Sequence, residues 1–217
     1  MKATPSTRRK FLRAASTAAT AFTVLPRHVL GGPRFVPPSE RVNVGVVGVG
    51  GRGLQNLRAL LDLADVRVTA VADPAREFSL EAFYYKGAGG RAPARAAVEK
   101  RHGESEPGFR CAEYEDFRVM LDREKSLDAV LCATPDHLHA AISLRALRSG
   151  RHVYCEKPLT LTVREGRVLT DLARRHGRIL QTGTQQRSNK SFRKAAEIVR
   201  NGWIGRASCR ERVCLYV

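Results

Sequence analysis

The chain has 217 residues, 43% of them hydrophobic, enough for a buried core, which excludes wholesale disorder. Its formal charge is +17, yet seven of the basic residues, and no acid, lie within 1–36. The remaining cations are scattered among acids without a stripe of interleaved aromatics, which argues against nucleic acid as a partner.

The first segment explains much of the charge. "STRRKFLRAASTAATAFTVL" sets Arg8-Arg9 and Phe11-Leu12 before an Ala/Thr-rich apolar run. That is the layout of a twin-arginine (Tat) export signal, so a periplasmic location is expected. The run over 14–25 falls short of the roughly 20 apolar residues that a spanning helix needs, so no stable membrane span is expected. "PRHVLGGPRFVPPSE" (26–40) is rich in proline and glycine and reads as a linker, which makes 1–36 signal and linker.

From residue 41 short β-rich runs alternate with helical ones. "RVNVGVVG", "VRVTAVAD", "LDAVLCATP", "HVYCE" and "RILQTG" read as strands; "LQNLRALLDL", "LHAAISLRALRSG" and "VREGRVLTDLARRHG" carry helical spacing. Most of these helices end near a glycine. Continuous apolar strands between helices predict an α/β fold, a doubly wound parallel (Rossmann) sheet over 37–203. The stretch 76–118 is less regular. Within it "EFSLEAFYYKG" and "ARAAVEKRHG" read as helical pieces, followed by a short strand near 109–111. Among the five cysteines there is no C-x-x-C pair and no histidine-spaced ligand set. No metal site is expected, and Cys132 and Cys155 read as small buried residues.

The turn after the first strand, "GVGGRG", places Gly48, Gly50 and Gly53 in G-x-G-x-x-G, with Gly51 and Arg52 between them. It follows a strand and opens a helix, and Asp73 ends the next strand, so the dinucleotide fingerprint is complete. Glycines permit a tight turn and close backbone approach to a pyrophosphate, and the helix N-terminus supplies N–H groups and positive dipole. Asp73 suits ribose hydroxyls and disfavours a 2′-phosphate. NAD is therefore expected, with NADP open because Arg52 or Arg76 could compensate.

"ATPDHLHA" (133–140) lies at the carboxyl end of a predicted strand, where open α/β sheets bind ligands. Thr134 and Pro135 are expected to shape the turn past the cofactor, and Asp136 to cap the next helix. His137 and His139 at this spacing face different sides of a helix, so they share no metal. His139 reads as structural rather than catalytic, and it is counted with Thr134 and Pro135 among the expected cofactor-binding residues. In "HVYCEKPLT" (152–160) Lys157 stands between Glu156 and Pro158, either as a surface charge or beside a reacting carbon.

With "GVGGRG", "ATPDHLHA" and "HVYCEKPLT" in this order, residues 41–203 resemble the glucose–fructose oxidoreductase/inositol dehydrogenase (Gfo/Idh/MocA) family. The resemblance implies a two-domain enzyme with NAD(P) on a Rossmann domain, acting by hydride transfer on a hydroxyl of a sugar or polyol. It implies that Glu156 and Lys157 lie near the nicotinamide ribose, in a turn that often holds a cis peptide. Lys157 is then the catalytic residue of this chain, its ammonium stabilising alkoxide character at the reacting hydroxyl. "LQTGTQQRSNKSFRKAAEIVRNG" matches the family's sixth strand and crossing helix, which puts Gln185, and with it Gln186 and Arg187, at the cleft. Exported members carrying a bound nicotinamide cofactor fit the Tat reading.

The family continues into a second α/β domain that carries the substrate pocket, a catalytic histidine and the usual surface for homo-oligomers. The chain is expected to stop before it. Residues 204–213, "IGRASCRERV", match one reading frame of a common sequencing-library adapter, so 204–217 are expected to be non-native. Two alternatives stand beside the dehydrogenase: an NAD-dependent glycosidase or lyase acting through transient sugar oxidation, and an NAD-binding fragment without catalysis.

Overall fold

A computed structural model describes residues 36–204. The expected export signal and the adapter-like tail, apart from Val36 and Ile204, lie outside the described residues.

Six strands form one parallel sheet: β1 (Val42–Val47), β2 (Val66–Ala72), β5 (Ala112–Tyr114), β6 (Ala129–Cys132), β7 (His152–Glu156) and β8 (Leu180–Gly183). Their order is β5-β2-β1-β6-β7-β8. The chain winds outward from β1 in both directions, so a crevice opens between β1 and β6 at their carboxyl ends. Helices α1 (Gly51–Leu61) and α2 (Arg91–Gly103) cover one face. The other face carries α3 (Phe117–Arg123), α4 (His139–Arg148) and α5 (Val163–Arg175).

Strand alternation divides the core between these two layers. Val44, Val46, Val68, Val71 and Leu131 pack with Leu54, Leu57 and Leu61 of α1 and with Ala94 and Val98 of α2. Val47, Val130, Cys132, Val153 and Cys155 pack instead with Met120, Ile142, Leu147 and Leu169. A strand buried on both faces needs apolar residues at every position, which is why these runs are continuous rather than alternating. Val68 and Val71 share a face only because the register slips by one. Val44 pairs with Val68 and Gly45 with Ala70, which leaves Thr69 as a bulge.

The irregular stretch corrects the sequence reading in three places. "ARAAVEKRHG" is helical, within α2, but "EFSLEAFYYKG" is not. It holds β3 (Phe78–Ser79), which pairs antiparallel with β4 (Ala88–Gly89). Its aromatics are used to cover the glycine turn: the Phe78 ring lies by Gly50 and Gly89, and the Tyr85 ring over Gly51. That tertiary contact outweighs the local helical pattern. The strand expected near 109–111 runs over Ala112–Tyr114, since Phe109 and Cys111 are drawn into the core beforehand. Helix α3, capped by the Asp116 side chain, was not anticipated.

The last element, α6 (Lys190–Arg200), buries none of its residues, and Phe192 and Val199 are exposed on it. No helix among the described residues is long and apolar enough to cross a membrane.

Candidate functional site

The carboxyl ends of β1, β2, β6 and β7 bring the predicted residues together. Gly48 leaves β1 with φ of 81°, a backbone that strains any L side chain, and a Cβ there would lie 2.7 Å from the Thr134 nitrogen. Gly53 is closer still: a Cβ on it would overlap the carbonyl oxygen of Gly48. Helix α1 begins at Gly51 with Gly50 as N-cap and no side chain satisfying its first N–H groups. Those N–H groups and the helix dipole are the donor set a pyrophosphate requires, and the glycines supply the space.

Asp73 follows β2 and faces this turn. Its Oδ2 accepts from the Val49 N–H at 2.9 Å and its Oδ1 from the Ala75 N–H at 2.9 Å. The carboxylate therefore holds the glycine loop in place while keeping lone pairs for ribose hydroxyls. Arg91 Nη1 donates to the backbone carbonyls of Asp73 and Pro74, fixing the chain just beyond β2. A cavity of about 310 Å³ opens here, lined by Gly48, Asp73, Pro74, Arg118, Thr134 and Leu138 among others.

Thr134 and Pro135 form the bend by which the chain leaves β6. Asp136 does not cap α4. It opens a single 3-10 turn, Asp136–Leu138, and the N-cap of α4 is Leu138, without a side-chain cap bond. The turn is held instead by His139, whose Nε2 lies 2.9 Å from the Thr134 carbonyl and whose Nδ1 lies 2.6 Å from the Pro158 carbonyl. His139 is 1% exposed, so it braces the two cofactor-facing turns from behind and presents no atom to the cleft. Its signal in the sequence was position alone.

Glu156 ends β7 and is buried at 4% exposure. Its Oε1 accepts from Arg52 Nε at 3.1 Å and from Asn56 Nδ2 at 2.7 Å, while its Oε2 is buried without a partner. Arg52 and Asn56 stand four residues apart on one face of α1, so the helix clamps the end of β7 from across β6. Arg52 is thus an ion-pair partner of Glu156 in this structure. Asn56 was missed by sequence reasoning, since nothing local to it signals a partner one hundred residues away. Tyr154 lies alongside; burial, and then the Glu156 charge, push its phenol up.

Lys157 is exposed beside Glu156, with no hydrogen bond or ion pair among the described residues, and the Lys157–Pro158 peptide is cis. Gln185 stands in a 3-10 turn, Gln185–Ser188, just past β8 and partly buried; Gln186 and Arg187 beside it are exposed. The end of β8 is tight against β7, since a Cβ on Gly183 would meet the Tyr154 hydroxyl at 2.8 Å. The site is therefore a run of turns along one sheet edge, from Asp73 through the glycine loop to Glu156, Lys157 and Gln185.

Comparison with known proteins agrees with this arrangement. The Gfo/Idh/MocA profile, described as an oxidoreductase family with an NAD-binding Rossmann fold, matches residues 42–184. Inositol 2-dehydrogenase of Salmonella typhimurium (strain LT2) is 27% identical over 166 residues, which cover 76% of this chain and 43% of that protein. A protein of Saccharopolyspora erythraea named glycosyl hydrolase family 109 protein is 35% identical over 140 residues, covering 63% of this chain and 28% of that one. Among solved structures, the 3-ketoreductase KijD10 of Actinomadura kijaniata, in complex with TDP-benzene and NADP, superposes with a TM-score of 0.57 at 28% identity. That match covers 76% of this chain and 45% of KijD10. The chain thus spans less than half the length of these relatives. On the profile match and the shared fold, the chain belongs to the Gfo/Idh/MocA oxidoreductase family, whose NAD-binding Rossmann domain it contains.

Proposed function

We propose that the complete protein transfers hydride between NAD and a secondary hydroxyl of a sugar or polyol, and that this domain is its cofactor-binding half. The observation that carries the reading is the convergence of the Gly48–Gly53 turn, Asp73, and the Glu156-Lys157 pair on one edge of the sheet. When bound, the nicotinamide ring accepts or returns the hydride; what this chain does is bind, orient and polarise. The free N–H groups of α1 hold the pyrophosphate, and Asp73 takes the adenosine ribose hydroxyls. Glu156, clamped by Arg52 and Asn56, fixes the start of the turn that presents Lys157. The Lys157 ammonium has no other partner among the described residues, so it is available to a substrate oxygen, where it stabilises negative charge as the C–H bond breaks. Relatives named inositol 2-dehydrogenase and 3-ketoreductase support the substrate class.

Titration of the chain with NAD and NADP, followed by calorimetry, tests the binding half. Asp73→Ala is expected to weaken NAD by about 10- to 100-fold, the cost of losing charge-assisted hydrogen bonds to the ribose. NADP should be weakened less or tightened, because the same substitution removes a charge facing its 2′-phosphate. A purely structural role for Asp73 would weaken both cofactors equally. Failure of the unsubstituted, folded chain to bind either one would overturn the proposal.

The relative named for a glycosyl hydrolase family motivates a second reading, in which the sugar is oxidised transiently and reduced again after a neighbouring C–O bond breaks. Release of a sugar leaving group by the complete protein, without net formation of NADH, would favour it over net oxidation. The twin-arginine segment further supports Tat export to the periplasm. Replacing Arg8 and Arg9 by Lys should retain the protein in the cytoplasm, and unimpaired export would refute the assignment.

A further inference from the structure

The hairpin Phe78–Gly89, which replaces the expected helix, sits against the glycine turn and has a built framework of its own. Its strands β3 and β4 pair antiparallel, Phe78 with Gly89 and Ser79 with Ala88. Its base is closed by the Arg91 and Ala92 N–H groups, which donate to the carbonyls of Ala75 and Arg76 at 3.1 and 2.9 Å. The loop between the strands is held in shape from inside. The Leu80 N–H donates to the Gly87 carbonyl at 2.7 Å, and the Glu81 carboxylate accepts from the Gly87 N–H at 3.0 Å. Lys86 Nζ donates to the Glu81 carbonyl at 2.6 Å. Leu80 is buried in the core layer under α1 and α2, which anchors the loop.

Three contacts tie this hairpin to the glycine turn. The Gly90 N–H, just past β4, donates to the Val49 carbonyl at 3.0 Å, while Val49 gives its own N–H to Asp73. The Phe78 ring lies against Gly50, where a Cβ would stand 3.3 Å from its Cζ. The Tyr85 ring takes the space beside Gly51. A Cβ on Gly51 would overlap Tyr85, whose own Cβ, Cγ and Cδ2 are the three nearest atoms. Gly51 is not one of the three fingerprint glycines, and alanine would be the better helix former there. What requires its bare Cα is the Tyr85 ring. Gly51 is also the first residue of α1, so that ring stands beside the N–H groups that no side chain caps. A diphosphate held by those groups comes against the hairpin.

We propose that the hairpin Phe78–Gly89 is a strap over the diphosphate of the bound dinucleotide, seated by Tyr85 in the space that Gly51 leaves, and that it sets how fast the cofactor leaves. The inference rests on the reading of this domain as an NAD site. Tyr85 acts here as a positioning residue: its ring holds the strap down. A cover at that place keeps water from the phosphates, which strengthens their charge-assisted hydrogen bonds to the N–H groups of α1. It must also lift before a ligand beneath it can depart. Phe83 and Tyr84 at the tip are exposed, so Phe78, Leu80 and Tyr85 are the apolar anchors of the loop. A segment with so few buried contacts opens far more readily than the sheet beneath it.

Two measurements on the full chain test the strap. Hydrogen exchange of the unsubstituted chain should slow over residues 78–90 when NAD is bound. Stopped-flow displacement of NADH, followed by its fluorescence, should show release about 10-fold or more faster in Tyr85→Ala, with association changed much less. Tyr85→Phe keeps the ring and should release NADH at the rate of the unsubstituted chain, as should Phe83→Ala at the exposed tip. Gly51→Ala pushes the ring out and should release NADH as fast as Tyr85→Ala does. The double variant should be no faster than Tyr85→Ala alone, because both substitutions undo one contact. Circular dichroism confirms that each variant is folded. Effects of Gly51→Ala and Tyr85→Ala that add in full would set the new methyl against the phosphates themselves and overturn the proposal. Unchanged release from folded Tyr85→Ala, or exchange over 78–90 that NAD does not slow, would overturn it too. In those cases the NAD site itself survives, whereas a chain that binds no NAD refutes both readings.

Discussion

Gly53→Ala is expected to abolish measurable dinucleotide binding, an effect of at least ~100-fold in affinity, and to destabilise the domain by about 1–3 kcal/mol or more. The added methyl would overlap the Gly48 carbonyl oxygen, so either the first turn of α1 or the end of β1 must move. Neither can move freely. Gly48 is pressed against Thr134 in the bend after β6, and its N–H donates to the Ala72 carbonyl at the end of β2. Displacing α1 also pulls its free N–H groups off the position a pyrophosphate takes, and Leu57 beneath them is fully buried. Calorimetric titration with NAD and urea denaturation measure the two effects. Gly103→Ala is the control: it lies at the end of α2, where an added methyl would meet nothing within 4 Å, and should be neutral or stabilising by about 0.4–1 kcal/mol. If the Gly53 variant bound NAD like the parent chain, the glycine turn would not be the phosphate site.

What could be read in advance follows a physical division. The glycine turn and Asp73 were legible because their geometry is local: a strand, a tight turn and a helix start dictate residue types at fixed spacing. The helices ending at Gly150 and Gly177 were legible for the same reason, both glycines having positive φ. Contacts made across the fold were not. That Arg52 and Asn56 would meet Glu156 depends on β6 separating β1 from β7 in the sheet, which no local pattern encodes. The pairing of Cys132 with Cys155 likewise depends on the register between β6 and β7, so the two cysteines read only as small core residues. The segment around Phe78 and Tyr85 misled because its apolar residues repeat at helical spacing, whereas their partners are the glycines of a distant turn. In each case the missing information was which surfaces the sheet order brings together.

The clamp on Glu156 yields the sharpest energetic prediction. Its carboxylate is almost fully buried, with Oε1 shared between Arg52 and Asn56 and Oε2 unpartnered. Placing that charge at the N-terminal turn of α1 is favourable, but the helix dipole is worth only about 0.3–2 kcal/mol. Arg52 supplies the full countercharge. Arg52→Ala should therefore destabilise the domain by about 2–3 kcal/mol; this is below the usual cost of breaking a buried pair because the Arg52 side chain is 29% exposed and partly screened. Glu156→Gln alone should cost about 1 kcal/mol, since the amide keeps the shape and can still accept from Asn56. The decisive variant carries both substitutions. With the cation gone, neutralising the carboxylate removes an uncompensated buried charge, so Arg52→Ala/Glu156→Gln should be more stable than Arg52→Ala alone. Urea denaturation of the four proteins closes the cycle. A double variant no more stable than Arg52→Ala would show that Glu156 is held by shape and Asn56 rather than by charge. The same cycle bears on chemistry, because the carboxylate that Arg52 neutralises ends β7 one residue before Lys157. If the clamp positions that ammonium, loosening it should weaken binding at the nicotinamide end and leave ADP-ribose affinity unchanged in Glu156→Gln, a comparison that separates positioning from general loss of the cofactor fold.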